Sequence, residues 1–126
     1  MDIKELQHIY AAHPNKRAMM AKLKDDSIKN LYLAGMHASS APLFFSTYLE
    51  DAGHTTVFIL NDMEEAGYFY HDLTQINGEE NVLFFPSSYR RAIKYGQKDA
   101  GNEILRTEVL SRVQKGDRVC IVTCPE

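Results

Sequence analysis

The chain has no tryptophan and only two cysteines. Both cysteines lie in CIVTC, where four steps along a strand would separate Cys120 from Cys124 by roughly 13 Å. That is beyond the ~7 Å between Cα atoms that a disulfide tolerates. With no nearby histidine or third cysteine, the pair also falls short of a tetrahedral metal set. Both are therefore expected to be free thiols on one face of a strand, acting as small apolar residues, with no metal ligand among them.

Long apolar runs are missing as well. The longest, in PLFFSTYL, is far short of the ~20 residues that span a bilayer. The start, MDIKELQHIY, lacks a positive region followed by an apolar signal core. These features exclude a membrane helix in the sequence and point to the cytoplasm.

Basic residues are absent between Lys29 and Arg90, where Glu50, Asp51, Asp62, Glu64, Glu65, Asp72, Glu79 and Glu80 carry all the formal charge. The stretch SSYRRAIKYGQK then supplies Arg90, Arg91, Lys94 and Lys98 beside Tyr89 and Tyr95, without an acid. The net charge of −3 is too mild to make the whole chain a nucleic-acid magnet,. An anionic partner is instead expected at this basic-aromatic stretch, since cations and rings together suit nucleic-acid backbones and exposed bases.

What remains is 126 residues, 44% of them hydrophobic, which suits a single buried core,. The first 28 residues carry two short helical patterns broken at His13-Pro14, with Ile3, Leu6, Ile9 and Tyr10 striping the first and Met19 and Leu23 the second. From residue 29 to 126, short apolar runs alternate with helical patterns. NLYLAG precedes SSAPLFFSTYLED, TTVFIL precedes NDMEEAGYFYHDLTQING, VLFF precedes a polar loop and GNEILRTEVLSRVQKG, and RVCIVT comes last.

Such alternation predicts an α/β fold: a three-layer, open, mostly parallel sheet of about four strands with flanking helices, preceded by a helical lead-in. Asn61 or Asp62 is placed to cap one helix and Asn77-Gly78 to end it, with Met63, Ala66, Tyr70 and Leu73 on its inner face. The last helix is expected to bury Ile104, Leu105, Val109 and Val113 and to end at Lys115-Gly116. A stop directly after a strand suggests a fragment of a longer protein.

The most informative absence is in LAGMHASSAP, residues 33–42. An apolar run enters Gly35, four residues pass and a helix begins, the layout of the phosphate loop G-x-x-x-x-G-K-[ST]. Ser40, Ala41 and Pro42 stand where the second glycine, the lysine and the hydroxyl residue belong. Ala41 brings no cation, and Pro42 brings neither a magnesium-holding hydroxyl nor an N–H, so nucleotide hydrolysis is not expected there. Ser39 or Ser40 suffices as a helix cap with Pro42 in the first turn. A weakly held anion at the free N–H groups is the alternative, and His37 lacks the positioned nucleophile that a catalytic base would serve. No G-x-G-x-x-G follows the first apolar run, which argues against a dinucleotide enzyme.

Several of these segments, in the same order, resemble the amino-terminal module of bacterial transcription-repair coupling factors (Mfd), a module that itself resembles the start of the excision-repair helicase UvrB. LAGMHASSAP resembles the UvrB nucleotide loop with its key positions replaced. AGYFYHDL resembles the helix after the second UvrB strand, and NEILRTEVLSRVQKGDRVCIVTCPE its last helix and strand. The resemblance covers residues 31–126, and the lead-in also suits the family.

It implies a degenerate P-loop, RecA-like helicase subdomain without cofactor or catalytic residues of its own, ATP and magnesium being expected only in motor domains elsewhere in the parent. That parent would be an ATP-dependent DNA translocase that displaces stalled RNA polymerase and recruits UvrA for transcription-coupled nucleotide-excision repair. The chain's partners would then be the rest of its own protein, with UvrA, RNA polymerase and DNA engaged through the parent. The alternative is a nucleic-acid-binding module acting through Tyr89, Arg90, Arg91, Lys94, Tyr95 and Lys98.

Overall fold

The structure is a computed structural model that describes residues 1–87 and 100–125. The chain divides into two compact units, Met1–Asp51 and Ala52–Glu126.

The first unit is helical: α1 spans Ile3–Ala11, α2 Pro14–Leu23 and α3 Ser40–Asp51. Asp2 and Glu5 start α1 by reciprocal capping, the Asp2 carboxylate accepting from the Glu5 N–H at 2.8 Å and the Glu5 carboxylate from the Asp2 N–H at 3.0 Å,. Proline at position 14 cannot continue α1, yet its fixed φ suits the first turn of α2. His13 caps that turn, its Nδ1 accepting from the Asn15 N–H at 3.1 Å. Both α1 and α2 pack on α3, and Lys16 of α2 pairs with Asp51 at the end of α3.

The buried face of α1 differs from the apolar stripe in its sequence. Ile3 and Ile9 remain 47% and 54% exposed, whereas Gln7 is buried. Gln7 is tolerated because its amide Nε2 donates to the Ser46 hydroxyl at 3.3 Å, and that hydroxyl donates to the Leu43 carbonyl at 2.6 Å,. The inner face of α1 therefore centres on Gln7, with Leu6 and Tyr10 half-buried beside it.

The strand expected at NLYLAG does not form. Residues 28–37 carry no ladder pairing, and Leu31, Tyr32 and Leu33 are exposed by 39%, 92% and 38%. A strand is stable only where a neighbour takes its N–H and C=O groups, and the described residues of this unit include no other strand. Gly35, at φ +84°, then turns the chain out of any extended path.

The second unit is α/β. β1 spans Thr56–Ile59, α4 Met63–Asn77, β2 Val82–Phe85, α5 Ala100–Gln114 and β3 Cys120–Thr123. The strands run parallel in the order β1-β3-β2, so among the described residues the sheet has three strands where about four are expected from the sequence. The chain passes over β3 on the way from β1 to β2 and then returns to the centre. With right-handed crossovers, that reversal places the two connecting helices on opposite faces.

The contacts agree with this layering. Phe58, Val122 and Phe84 form one cross-strand row, and α4 covers it, Phe69 meeting Phe58 at 4.9 Å and Tyr70 meeting Phe84 at 5.3 Å between ring centroids. On the other face, Leu83 and Ile121 join Val109 of α5 and Val119 in a buried cluster with Phe85 beside it. The unit is therefore a three-layer α/β sandwich.

Helix α4 begins and ends where the sequence signals lie. The Asp62 carboxylate accepts from the Glu65 N–H at 2.9 Å, and Gly78, at φ +84°, closes the last turn through its N–H to the Thr74 carbonyl at 2.9 Å,. Its core face carries Ala66 and Leu73, joined by Phe69 and Ile76.

Helix α5 buries less than its apolar residues suggest. Only Val109 is buried, while Ile104 and Val113, both expected inside, are 70% and 47% exposed. The helix packs mainly on β2, and two arginines take the flanks of that contact. Arg106 lies 4.2 Å over the Phe85 ring and donates to the Pro86 carbonyl at 2.8 Å. Arg112 donates to Asp117 at 2.6 Å, to the Glu80 carbonyl at 2.9 Å and to Asn81 at 3.0 Å. Arginine stems cover apolar surface as well as aliphatic side chains do. Among the described residues no helix is long and apolar enough to cross a membrane.

Candidate functional site

The loop between Gly35 and α3 is the first candidate. Two residues in it take the left-handed backbone region, Gly35 at φ +84° and Ala38 at φ +48°. The two bends fold residues 37–40 into a turn that bonds two of its own N–H groups. The His37 N–H donates to the Ser40 hydroxyl at 2.8 Å, and the Ser40 N–H donates to the His37 carbonyl at 3.0 Å. The Leu43 N–H then donates to the Ser39 carbonyl at 3.2 Å, the first helical bond of α3, which puts Ser39 at the cap position,.

A working phosphate loop aims successive N–H groups outward at the anion. Here the N–H groups of His37 and Ser40 point back into the turn. Ala41 and Pro42 follow inside the first turn, Pro42 being buried.

A pocket of about 250 Å³ opens beside this turn, lined by Tyr10, His13, Leu33, Gly35, Ser40 and Phe44 among others. Its lining contains no Lys, Arg, Asp or Glu, so it has no cation to neutralise a triphosphate and no carboxylate to hold magnesium. The one imidazole in it, His13, already accepts from the Asn15 N–H. His37 is not among the lining residues, and its N–H donates to the Ser40 hydroxyl.

The basic-aromatic residues Tyr89, Arg90, Arg91, Lys94, Tyr95 and Lys98 lie outside the described residues. The chain on either side of them is described: Asn102 Nδ2 donates to the Ser87 carbonyl at 2.9 Å and Arg106 to the Pro86 carbonyl. Both bonds sit just past the carboxyl end of β2, the edge at which open α/β sheets present their ligand-binding loops.

The two cysteines are free, Cys120 buried in β3 and Cys124 half-buried just after it. Burial pushes the Cys120 thiol up to about 12 from its ordinary 9.0, which leaves it protonated and unreactive at neutral pH. Among the described residues, no three His, Cys, Asp or Glu side chains come together as a metal site.

Sequence reasoning located the phosphate-loop layout and its substitutions. It did not foresee the His37–Ser40 closure, although a serine three residues after a loop N–H is the pattern from which such a bond could be read. The Arg106–Phe85 stack had no signal in a linear pattern, because it depends on the pairing of α5 with β2.

No family model matches the chain, and no curated protein or solved structure matches it significantly.

Proposed function

We propose that this chain is a non-catalytic scaffold, the amino-terminal module of a transcription-repair coupling factor whose ATP-driven translocase displaces stalled RNA polymerase and recruits UvrA. Its fold is a RecA-like nucleotide subdomain that has lost nucleotide chemistry. It positions the neighbouring UvrA-binding segment and takes part in holding the parent inactive. One observation carries the non-catalytic reading: the His37 and Ser40 N–H groups bond within the turn at residues 37–40, at the point where Ala41 and Pro42 replace the cation and the hydroxyl. Without a lysine and a metal-holding hydroxyl, phosphoryl transfer lacks the charge stabilisation that a working phosphate loop supplies. Sequence segments at 33–42, 66–73 and 102–126 support the family reading by resemblance.

The reading has a direct test in the parent protein. Removing residues 1–126 leaves ATP hydrolysis at or above the level of the intact protein, because the motor lies elsewhere and a restraint has gone. Hydrolysis that falls to background on that removal contradicts the proposal.

A further inference from the structure

We propose that Asn77-Gly78, at the end of α4, is a modification site gated by the fold: Asn77 deamidates to aspartate or isoaspartate only when the last turn of α4 opens. The inference goes beyond the scaffold reading and does not depend on it.

Three observations carry it. The first is the pair itself. Nowhere else in the sequence does glycine follow asparagine. Deamidation begins when the main-chain nitrogen of the next residue attacks the asparagine side-chain carbonyl carbon, and glycine has no side chain to obstruct that approach. Gly78 is exposed, and nothing lies within 4 Å of the place a Cβ would take, so water has access to this end of the helix.

The second is what closes the site. The Gly78 N–H donates to the Thr74 carbonyl at 2.9 Å, and that proton must leave before the nitrogen can attack. Asn77 is the last residue of α4, and the five-membered ring of the intermediate needs a backbone ψ at Asn77 far from the helical value. Asn77 Oδ1, on which negative charge develops during attack, is buried, which disfavours that charge. Reaction therefore requires the Thr74 bond to break and Asn77 to leave the helix.

The third is what the product does to the turn. The Gly78 nitrogen bonds to Asn77 Cγ, the side-chain nitrogen leaves as ammonia, and water then opens the cyclic imide at either carbonyl with no oxidant or reductant involved. Opening at one carbonyl gives aspartate, a carboxylate at the negative end of the helix with Glu79 and Glu80 directly downstream,. Opening at the other gives isoaspartate, whose extra main-chain methylene draws the Gly78 N–H off Thr74. Both products favour the open turn, so modification and opening reinforce each other.

The test holds the chain in mildly alkaline buffer, folded and in guanidinium chloride, and follows the peptide containing residue 77 by mass spectrometry, with isoaspartate scored by enzymatic methylation. In the unfolded chain Asn77 is expected to convert ahead of every other asparagine. In the folded chain conversion is slower by about tenfold or more, in proportion to the open fraction that hydrogen exchange of the Gly78 amide reports. Asn77→Gln abolishes conversion at this position in both states, because the larger ring closes far more slowly. Asn77→Asp, the product made by substitution, exchanges its Gly78 amide roughly two- to fivefold faster than the unmodified chain, and salt narrows the difference.

Equal rates in the folded and unfolded chain would overturn the gate. Conversion of Asn77 no faster than that of the other asparagines in the unfolded chain would overturn the site, as would a mass gain that persists in Asn77→Gln. A Gly78 amide that exchanges in Asn77→Asp at the unmodified rate would overturn the reinforcement.

Discussion

Ala38 carries a cost that its neighbours make necessary. A non-glycine residue in the left-handed region is disfavoured by about 1–2 kcal/mol, and Ala38 holds φ +48° so that Ser40 can reach the His37 N–H. Ala38→Gly relieves that strain and gives back about 0.5–1 kcal/mol of it in unfolded-chain entropy. The variant is expected to be more stable by about 0.5–1 kcal/mol in urea titration. An unchanged or lower stability would mean that the turn is not held as described.

Cys120 gives a prediction of opposite character. Its thiol ionises near the ordinary 9.0 in the unfolded chain but only at about 12 in the fold. Above pH 9 the unfolded state therefore releases a proton that the folded state keeps, and stability falls with rising pH by up to about 1.4 kcal/mol per unit. Below that window the group contributes no slope. Tyr70, raised by burial and then by Glu79 and Glu108, adds loss of the same sign at higher pH. Urea titrations from pH 8 to 11 should show the decline, and Cys120→Val should flatten its first part.

At the scale of elements, the α/β alternation was legible because α4 begins and ends on local signals and α5 ends on one. Asp62 caps α4, and Gly78 and Gly116, at φ +84° and +81°, end α4 and α5. Capping depends on a few consecutive residues, so a linear sequence contains it. What each helix buries depends on what it meets, and there the reading was uneven. α4 faces strands on two neighbours, and its buried Ala66 and Leu73 were foreseen. α5 meets chiefly one strand, and half of its expected stripe is left in water. The NLYLAG strand was misread for a related reason, since apolar composition marks strand capacity while pairing decides whether a strand forms.

The helix that meets the most sheet should also matter most. Leu73 is fully buried on α4, and Leu73→Ala is expected to cost about 2–5 kcal/mol. Leu110, 61% exposed on α5, should cost well under 1 kcal/mol when cut to alanine. Comparable losses at the two sites, measured by chemical denaturation, would contradict this assignment of the core.

For the whole molecule, the candidate site was readable as a set of substitutions before it was readable as geometry. Ala41 and Pro42 already removed the cation and the hydroxyl, and the fold adds a turn in which the N–H groups of His37 and Ser40 bond to each other's residues. The basic-aromatic residues 89–98 were equally plain in sequence and lie outside the described residues.

The scaffold account is tested most directly by titrating ATP with magnesium into the chain while following backbone amide shifts. The account predicts no saturable shift at Gly35, His37, Ala38, Ser39, Ser40 or Ala41 up to about 1 mM nucleotide, a range that detects even weak sites. Saturable micromolar shifts centred on those amides would contradict it.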